Sequence, residues 1–186
     1  MQQDDPFDLD FTQLLDPAVA VPEPVQTAQE TQALSDEAVI GESKLTSNGF
    51  FVRIFPDAPY RTPVQAPPVV LVIEDDEVTG SILERILTKE SYRVVRAANR
   101  AEISIGMKQK PDLVLLDILL PDANGFDILN RIRSNEKLKN LPVLMLSSLG
   151  SLDDILKGLK LGANGYLTKP AKSKVLIDAI EQVIFK

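Results

Sequence analysis

The chain has 186 residues, 44% of them hydrophobic, and a net charge of −7, which suits one domain with an ordinary core, with or without a tail. It contains no cysteine and no histidine. Disulfide frameworks, thiolate or imidazole metal sites, a Ser-His-Asp triad and phosphorylation on a histidine of this chain are all excluded, and a hard divalent cation would have to bind through oxygen. No apolar run approaches the roughly 18 residues of a membrane span, and the acidic start MQQDDPFDLD has neither the basic end nor the apolar stretch of a signal peptide. The expectation is a soluble, cytoplasmic protein without a membrane partner.

The acidic excess lies in residues 1–67, whereas acids and bases nearly balance beyond them. No basic stripe suited to a phosphate backbone is visible, so no direct nucleic-acid contact is expected. Residues 1–67 read as a disordered, acidic and Pro-rich extension and linker, because scattered Pro, Gln, Thr and acids cannot bury enough apolar surface to offset the entropy of ordering. Two apolar islands interrupt it. In PFDLDFTQLLDP, Phe7, Leu9, Phe11, Leu14 and Leu15 could form a short amphipathic helix for a partner's groove. FFVRIF at 50–55 is too apolar to be comfortable in water.

From residue 68 to 186 the pattern changes. VVLVI (69–73) is a continuous β-branched run, as in a strand buried on both faces. VTGSILERILTKE follows, with Ile82, Leu83, Ile86 and Leu87 at helical spacing. YRVVRAA reads as a strand and AEISIGMKQK as a helix stopped by Pro111. DLVLLD (112–117) is a third strand, and Gly125 to Ile132 a helix with Phe126, Leu129 and Ile132 on one face. PVLML (142–146) is a strand, LDDILKGLKLG a helix capped at Gly162, GYLTK a fifth strand and SKVLIDAIEQVIF a closing helix. Five β-α units predict a parallel α/β sheet with helices on both faces, whose functional crevice lies at the carboxyl ends of the strands.

Those ends carry Glu74, Asp75 and Asp76, then Asp117, then Ser147 and Ser148, then Lys169. Carboxylates gathered in one crevice repel one another and are costly to desolvate. A divalent cation held by oxygen resolves this, and magnesium suits such ligands. With a lysine and a hydroxyl added, the set describes a phosphoryl site in which a carboxylate attacks in line and the surroundings neutralise charge.

The motifs VLVIEDDE (70–77), LVLLDILLPDANGFD (113–127), PVLMLSS (142–148) and GANGYLTKP (162–170), in this order and spacing, resemble the receiver domain of two-component response regulators, most of all the stand-alone chemotaxis-type receivers. The resemblance covers residues 68–186 and implies a five-stranded, doubly wound, flavodoxin-like sheet in the order 2-1-3-4-5. It implies Asp117 as phosphoacceptor and Glu74 and Asp75 as the acidic pair for Mg2+, Asp75 the more direct. The backbone carbonyl of Leu119 would complete the metal set, Ser147 would hydrogen-bond the phosphoryl group and Lys169 would pair with it. Tyr166 stands at the family's aromatic switch, and Lys169-Pro170 at its cis peptide. Asp117 ends an apolar strand, whereas Asp122 and Asp127 flank Gly125. Ser147 is favoured over Ser148 because it follows the strand directly. Asp76 and Glu77 read as helix N-terminal charges.

Two features depart from the commoner pattern. Glu74 stands where an aspartate is usual. Leu119 and Leu149 lie two residues beyond Asp117 and Ser147, where they should exclude the attacking water and lengthen the life of a phosphoryl group. DLDFT at 8–12 matches the Asp-x-Asp-x-Thr motif of haloacid-dehalogenase phosphatases, but no strand precedes it, and it reads as coincidence. The implied function is a single-domain response regulator, not an enzyme beyond self-phosphorylation and autodephosphorylation. It would be phosphorylated by a sensor histidine kinase or histidine phosphotransfer protein and would signal to an effector protein, with a phosphorylation-dependent dimer also open. No DNA-binding module follows residue 186, so transcriptional output by this chain alone is not expected. The alternatives are a phosphorelay carrier, or a scaffold acting through its tail.

Overall fold

The computed structural model describes residues 7, 9–16, 18–20, 43–45, 51–53 and 66–185. Among these residues, helix α1 (Phe11–Leu14) and strands β1 (Ser43–Leu45) and β2 (Phe51–Arg53) come first. The alternating region then forms β3 (Val69–Ile73), α2 (Glu77–Lys89), β4 (Arg93–Ala97), α3 (Arg100–Met107), β5 (Leu113–Leu116), α4 (Gly125–Ser134), β6 (Val143–Ser147), α5 (Leu152–Lys160), β7 (Gly165–Thr168) and α6 (Ser173–Ile184).

The sheet order is β1-β2-β7-β6-β5-β3-β4. The strands from β3 to β7 are mutually parallel, and counted from β3 they stand in the order 2-1-3-4-5, the flavodoxin-like arrangement. β3, β5 and β6 are buried at every position. That is the physical reason their sequences are unbroken apolar runs: a central parallel strand has no solvent face to alternate with.

Successive side chains point to opposite sides of the sheet, and the core divides accordingly. Val70, Val72, Leu113, Leu115, Leu144, Leu146 and Leu167 pack with α2 and α6. Leu71, Ile73, Val114, Leu116, Val143, Met145 and Tyr166 pack on the other side with α3, α4 and α5. The helices start where their caps place them. Asp76 accepts from Thr79 N at 2.7 Å at the head of α2, Asn99 from Glu102 N at 3.1 Å at α3 and Asn124 from Phe126 N at 2.9 Å at α4, each satisfying an amide that the helix leaves open. The predicted stop at Gly162 is met: its φ of 92° is left-handed, and its amide bonds to Leu159 O at 3.0 Å.

Most of residues 1–67 lies outside the described residues, but the described pieces are built onto the domain. Phe7, Phe11 and Leu15 are buried in the α3–α4–α5 core layer, and Phe11 is fully covered. They stand at intervals of four, so a chain turning helically puts all three on one side. The amphipathic stretch, read as part of a disordered tail with a helix for a partner's groove as the alternative, docks on its own domain, against α3. Asp10 accepts from Thr12 N at 3.0 Å, so the DLDFT motif serves a local turn at the start of α1. Phe51–Arg53, from the FFVRIF island, form β2, which pairs antiparallel with β7 through Phe51↔Tyr166 and Val52↔Gly165. Phe50, Ile54 and Phe55 lie outside the described residues.

Replacing Phe11 by Ala should lower unfolding free energy by about 3 kcal/mol, the cost of emptying a buried aromatic site. Urea denaturation followed by circular dichroism measures it. A change near zero would mean that the docked segment contributes nothing to the fold.

Candidate phosphoryl-transfer site

Each site residue is delivered by the end of a strand. Glu74 follows β3, Asp117 follows β5, Ser147 ends β6 and Lys169 follows β7. Because β3, β5, β6 and β7 are parallel, all four ends lie at one edge of the sheet. Backbone bonds across that edge fix them: Glu74 N donates to Ala97 O at 3.0 Å, Asp117 N to Ile73 O at 3.0 Å and Lys169 N to Ser147 O at 2.8 Å.

Glu74 and Asp117 are buried and Asp75 is exposed, and an oxygen of each carboxylate lies within 4.8 Å of the other two. The Lys169 ammonium bridges the buried pair. It lies 2.6 Å from Asp117 Oδ2 and makes a closer ion pair with Glu74 Oε2. Burial pushes the Glu74 carboxyl above its ordinary value, and the Lys169 hydrogen bond opposes that shift. Burial alone would depress Lys169, but its hydrogen bonds to Asp117 and Glu74 outweigh burial and leave it raised. The second oxygen of Asp117 is also held, accepting from Ile118 N at 2.6 Å and Leu119 N at 3.4 Å.

Two of these three carboxylates share the Lys169 ammonium, and all the donor atoms of the cluster are oxygens. That set fits a hard divalent cation: Glu74, Asp75 and Asp117 would hold it, and it would supply charge neutralisation for a phosphoryl group. Leu119, half-exposed, lies in the same loop. Asp76 and Glu77 stand apart from the cluster. Asp76 is the cap of α2, and its Thr79 hydrogen bonds lower its carboxyl. Glu77 pairs with Arg96 at 2.8 Å.

Ser147 is fully buried and Ser148 exposed. Ser147 Oγ accepts from Leu149 N at 3.3 Å, and Leu149 O accepts from the Tyr166 hydroxyl at 2.5 Å. Tyr166 is itself buried, and that burial, with the Asp154 charge, drives its phenol upward. A short polar line thus runs from the crevice to the Tyr166 ring. The Lys169-Pro170 peptide is cis.

Two glycines that sequence reasoning passed over shape this region. A Cβ at Gly125 would stand 2.2 Å from Asp117 O, so only glycine lets the head of α4 close on the Asp117 backbone. A Cβ at Gly158 would stand 3.1 Å from the Tyr166 ring. Gly125 was visible as the residue between Asp122 and Asp127, but its closeness to residue 117 is a tertiary fact without a local signal. Arg100 was also missed. Its Nε donates to Asp122 O at 2.6 Å, and its backbone N to Asp122 Oδ2 at 3.1 Å.

The family model for the response regulator receiver domain matches residues 70–181. Among curated relatives, the transcriptional regulatory protein CusR of Escherichia coli is 41% identical over 62% of this chain and 50% of its own length. AfsQ1 of Streptomyces coelicolor, another transcriptional regulatory protein, is 36% identical over 63% and 51%. The chain spans about half the length of these relatives. Among solved structures, the BeF3-activated receiver domain of Klebsiella pneumoniae RstA matches with TM-score 0.58 and 31% identity over 63% of this chain and 99% of that one. The non-phosphorylated HemR receiver domain of Leptospira biflexa matches with TM-score 0.56 and 35% identity over 64% and 95%.

Gly125→Ala should destabilise the protein by about 2 kcal/mol, in the range of overpacking a tight site, and should slow modification of Asp117 by displacing its backbone. Urea melts and labelling rates measured on the same preparation test both effects. Separately, magnesium should raise the melting temperature with the logarithm of its concentration once that exceeds the dissociation constant, and Asp75→Ala should abolish most of that rise.

Proposed function

The chain belongs to the response regulator receiver domain family, and from that premise we propose that it is a single-domain response regulator phosphorylated on Asp117. The observation that carries the reading is the Lys169 ammonium set between two buried carboxylates at the carboxyl edge of the sheet. Glu74 and Asp75, with Asp117 and the Leu119 carbonyl, would hold Mg2+, which would neutralise charge on the phosphoryl group. A carboxylate oxygen of Asp117, released from its resting hydrogen bond, attacks the phosphorus of a phosphohistidine. The phosphorus–nitrogen bond breaks, and the donor imidazole leaves with its electron pair and takes up a proton. Because this chain has no histidine, the donor is a separate sensor histidine kinase or histidine phosphotransfer protein. The chain is not an enzyme beyond its own modification and hydrolysis.

The signal arises because the new phosphoryl oxygens compete for the groups that serve Asp117 at rest. Lys169 pairs with the phosphoryl group, Ser147 hydrogen-bonds it, and the Ser147–Leu149–Tyr166 line carries the change to β7 and the flanking helices α5 and α6. A local charge event biases a packed element with two arrangements. The output is a phosphorylation-dependent contact with an effector protein or a second copy of the chain. The curated relatives named above are transcriptional regulators, so an effector that acts on DNA is a second form of the same output. A relay role would show itself as rapid return of the phosphoryl group to a phosphotransfer protein, and a scaffold role as signalling that survives loss of Asp117.

Purified protein incubated with radiolabelled acetyl phosphate and magnesium should take up base-labile label that Asp117→Ala loses. Leu119 and Leu149 flank the site and should hold off water, so the label should persist for many minutes at 25 °C. A half-life of seconds would refute the role given to the two leucines, and magnesium-independent or absent labelling would refute the phosphoacceptor reading itself.

A further inference from the structure

The docked N-terminal segment lies outside the matched receiver region, which begins at residue 70, and it reaches the loop that follows Asp117 through Arg100. Phe7, Phe11 and Leu15 anchor it in the core layer. Two arginines of the domain then hold its backbone. Arg131, itself buried, donates to Val19 O at 2.5 Å, and Arg100 Nη1 donates to Leu15 O. Arg100 is the junction, because the same guanidinium grips Asp122 O through Nε at 2.6 Å. One planar fork thus ties the segment to the β5–α4 loop.

That loop is short and closed on itself. Asp117 Oδ1 takes the amides of Ile118 and Leu119, Leu119 bridges Asn124, and Gly125 N returns to Ile118 O at 2.9 Å. A displacement at Asp122 therefore has few routes other than through Leu119 and Asn124. The apolar anchors hold the segment down, and the segment in turn supplies the carbonyl that completes the Arg100 fork.

We infer that the described residues of the N-terminal segment, 7, 9–16 and 18–20, form an intramolecular clamp that acts through Arg100, a positioning residue, to hold the Asp117–Asp122 loop in its metal-loading geometry. The clamp and the phosphoryl site are then linked in free energy. The inference rests on the phosphoacceptor reading, since it gives that loop its task. A clamped loop is already ordered when the cation and phosphoryl group arrive, so less ordering entropy opposes loading. By reciprocity, loading must tighten the clamp by the same factor.

The test is hydrogen–deuterium exchange on the full chain, followed in the peptides covering residues 9–20. The conditions are metal-free buffer, magnesium alone, and magnesium with acetyl phosphate, with label uptake measured in parallel. Exchange in the clamp should slow several-fold on loading. In Arg100→Ala the apolar anchors should keep the segment docked, but its exchange should no longer respond. The magnesium concentration needed for a given thermal shift should rise several-fold in that variant. Full labelling with unchanged or faster clamp exchange overturns the linkage and leaves the phosphoacceptor reading standing, as does an Arg100→Ala protein that responds like wild type. Absence of label overturns both.

Discussion

The contact on which the rest of the site depends is the Lys169 ammonium between Asp117 and Glu74. Two carboxylates buried this close repel strongly in a medium of reduced dielectric unless a counter-charge lies between them. Lys169 supplies that charge from the end of β7, two strands from β5 and three from β3. The bridge therefore needs the sheet to be complete and in register before it can form. It also leaves the cluster under-neutralised, because Asp75 adds a third carboxylate. A cluster short of positive charge would favour a hard cation, which is what the proposed phosphoryl chemistry requires.

The central strands serve this contact by being apolar up to their carboxyl ends. Every residue of β3, β5 and β6 is buried, and the polar residues appear only where those strands end. The contrast is sharp within a few residues: Ile73 to Glu74, Leu116 to Asp117, Leu146 to Ser147. The layers above and below exclude water from the strands and fix their ends to within hydrogen-bond tolerances, as a preorganised site requires.

This arrangement explains what was legible in the sequence. Buried parallel strands must be continuous apolar runs, so VVLVI, LVLL and VLML gave the strands, and the polar residue that broke each run marked the crevice. The strand order and the assignment of Glu74, Asp75, Asp117, Ser147, Lys169 and Tyr166 came from the ordered motifs. What escaped was non-local. Phe7, Phe11 and Leu15 carried a helical stripe, but its partner was a face assembled from α3, α4 and α5, and the acidic, Pro-rich context around it read as a tail. β2 escaped because a three-residue strand has little pattern of its own, and its pairing is set by the open edge of β7. Gly125 and Gly158 were ordinary glycines until the Asp117 carbonyl and the Tyr166 ring were seen against them.

The two loops that flank the phosphoacceptor edge lead in different directions, and this shapes how a local event could be read. The loop after β6 passes from Ser147 through Leu149 to the Tyr166 hydroxyl, and Tyr166 lies on β7, whose outer edge is taken by β2. The loop after β5 passes from Asp117 through Asp122 to Arg100 and the docked N-terminal segment. Both routes consist of hydrogen bonds between rigid elements, and both end on a piece of residues 1–67. Sequence outside the receiver core thus meets the domain at the two places where a change at Asp117 would be felt. A tail joined to the domain only by a flexible linker could add affinity for a partner. One that shares a guanidinium with the phosphoacceptor loop can also alter the site's own equilibria, because its docking free energy and the loading free energy act on the same few residues.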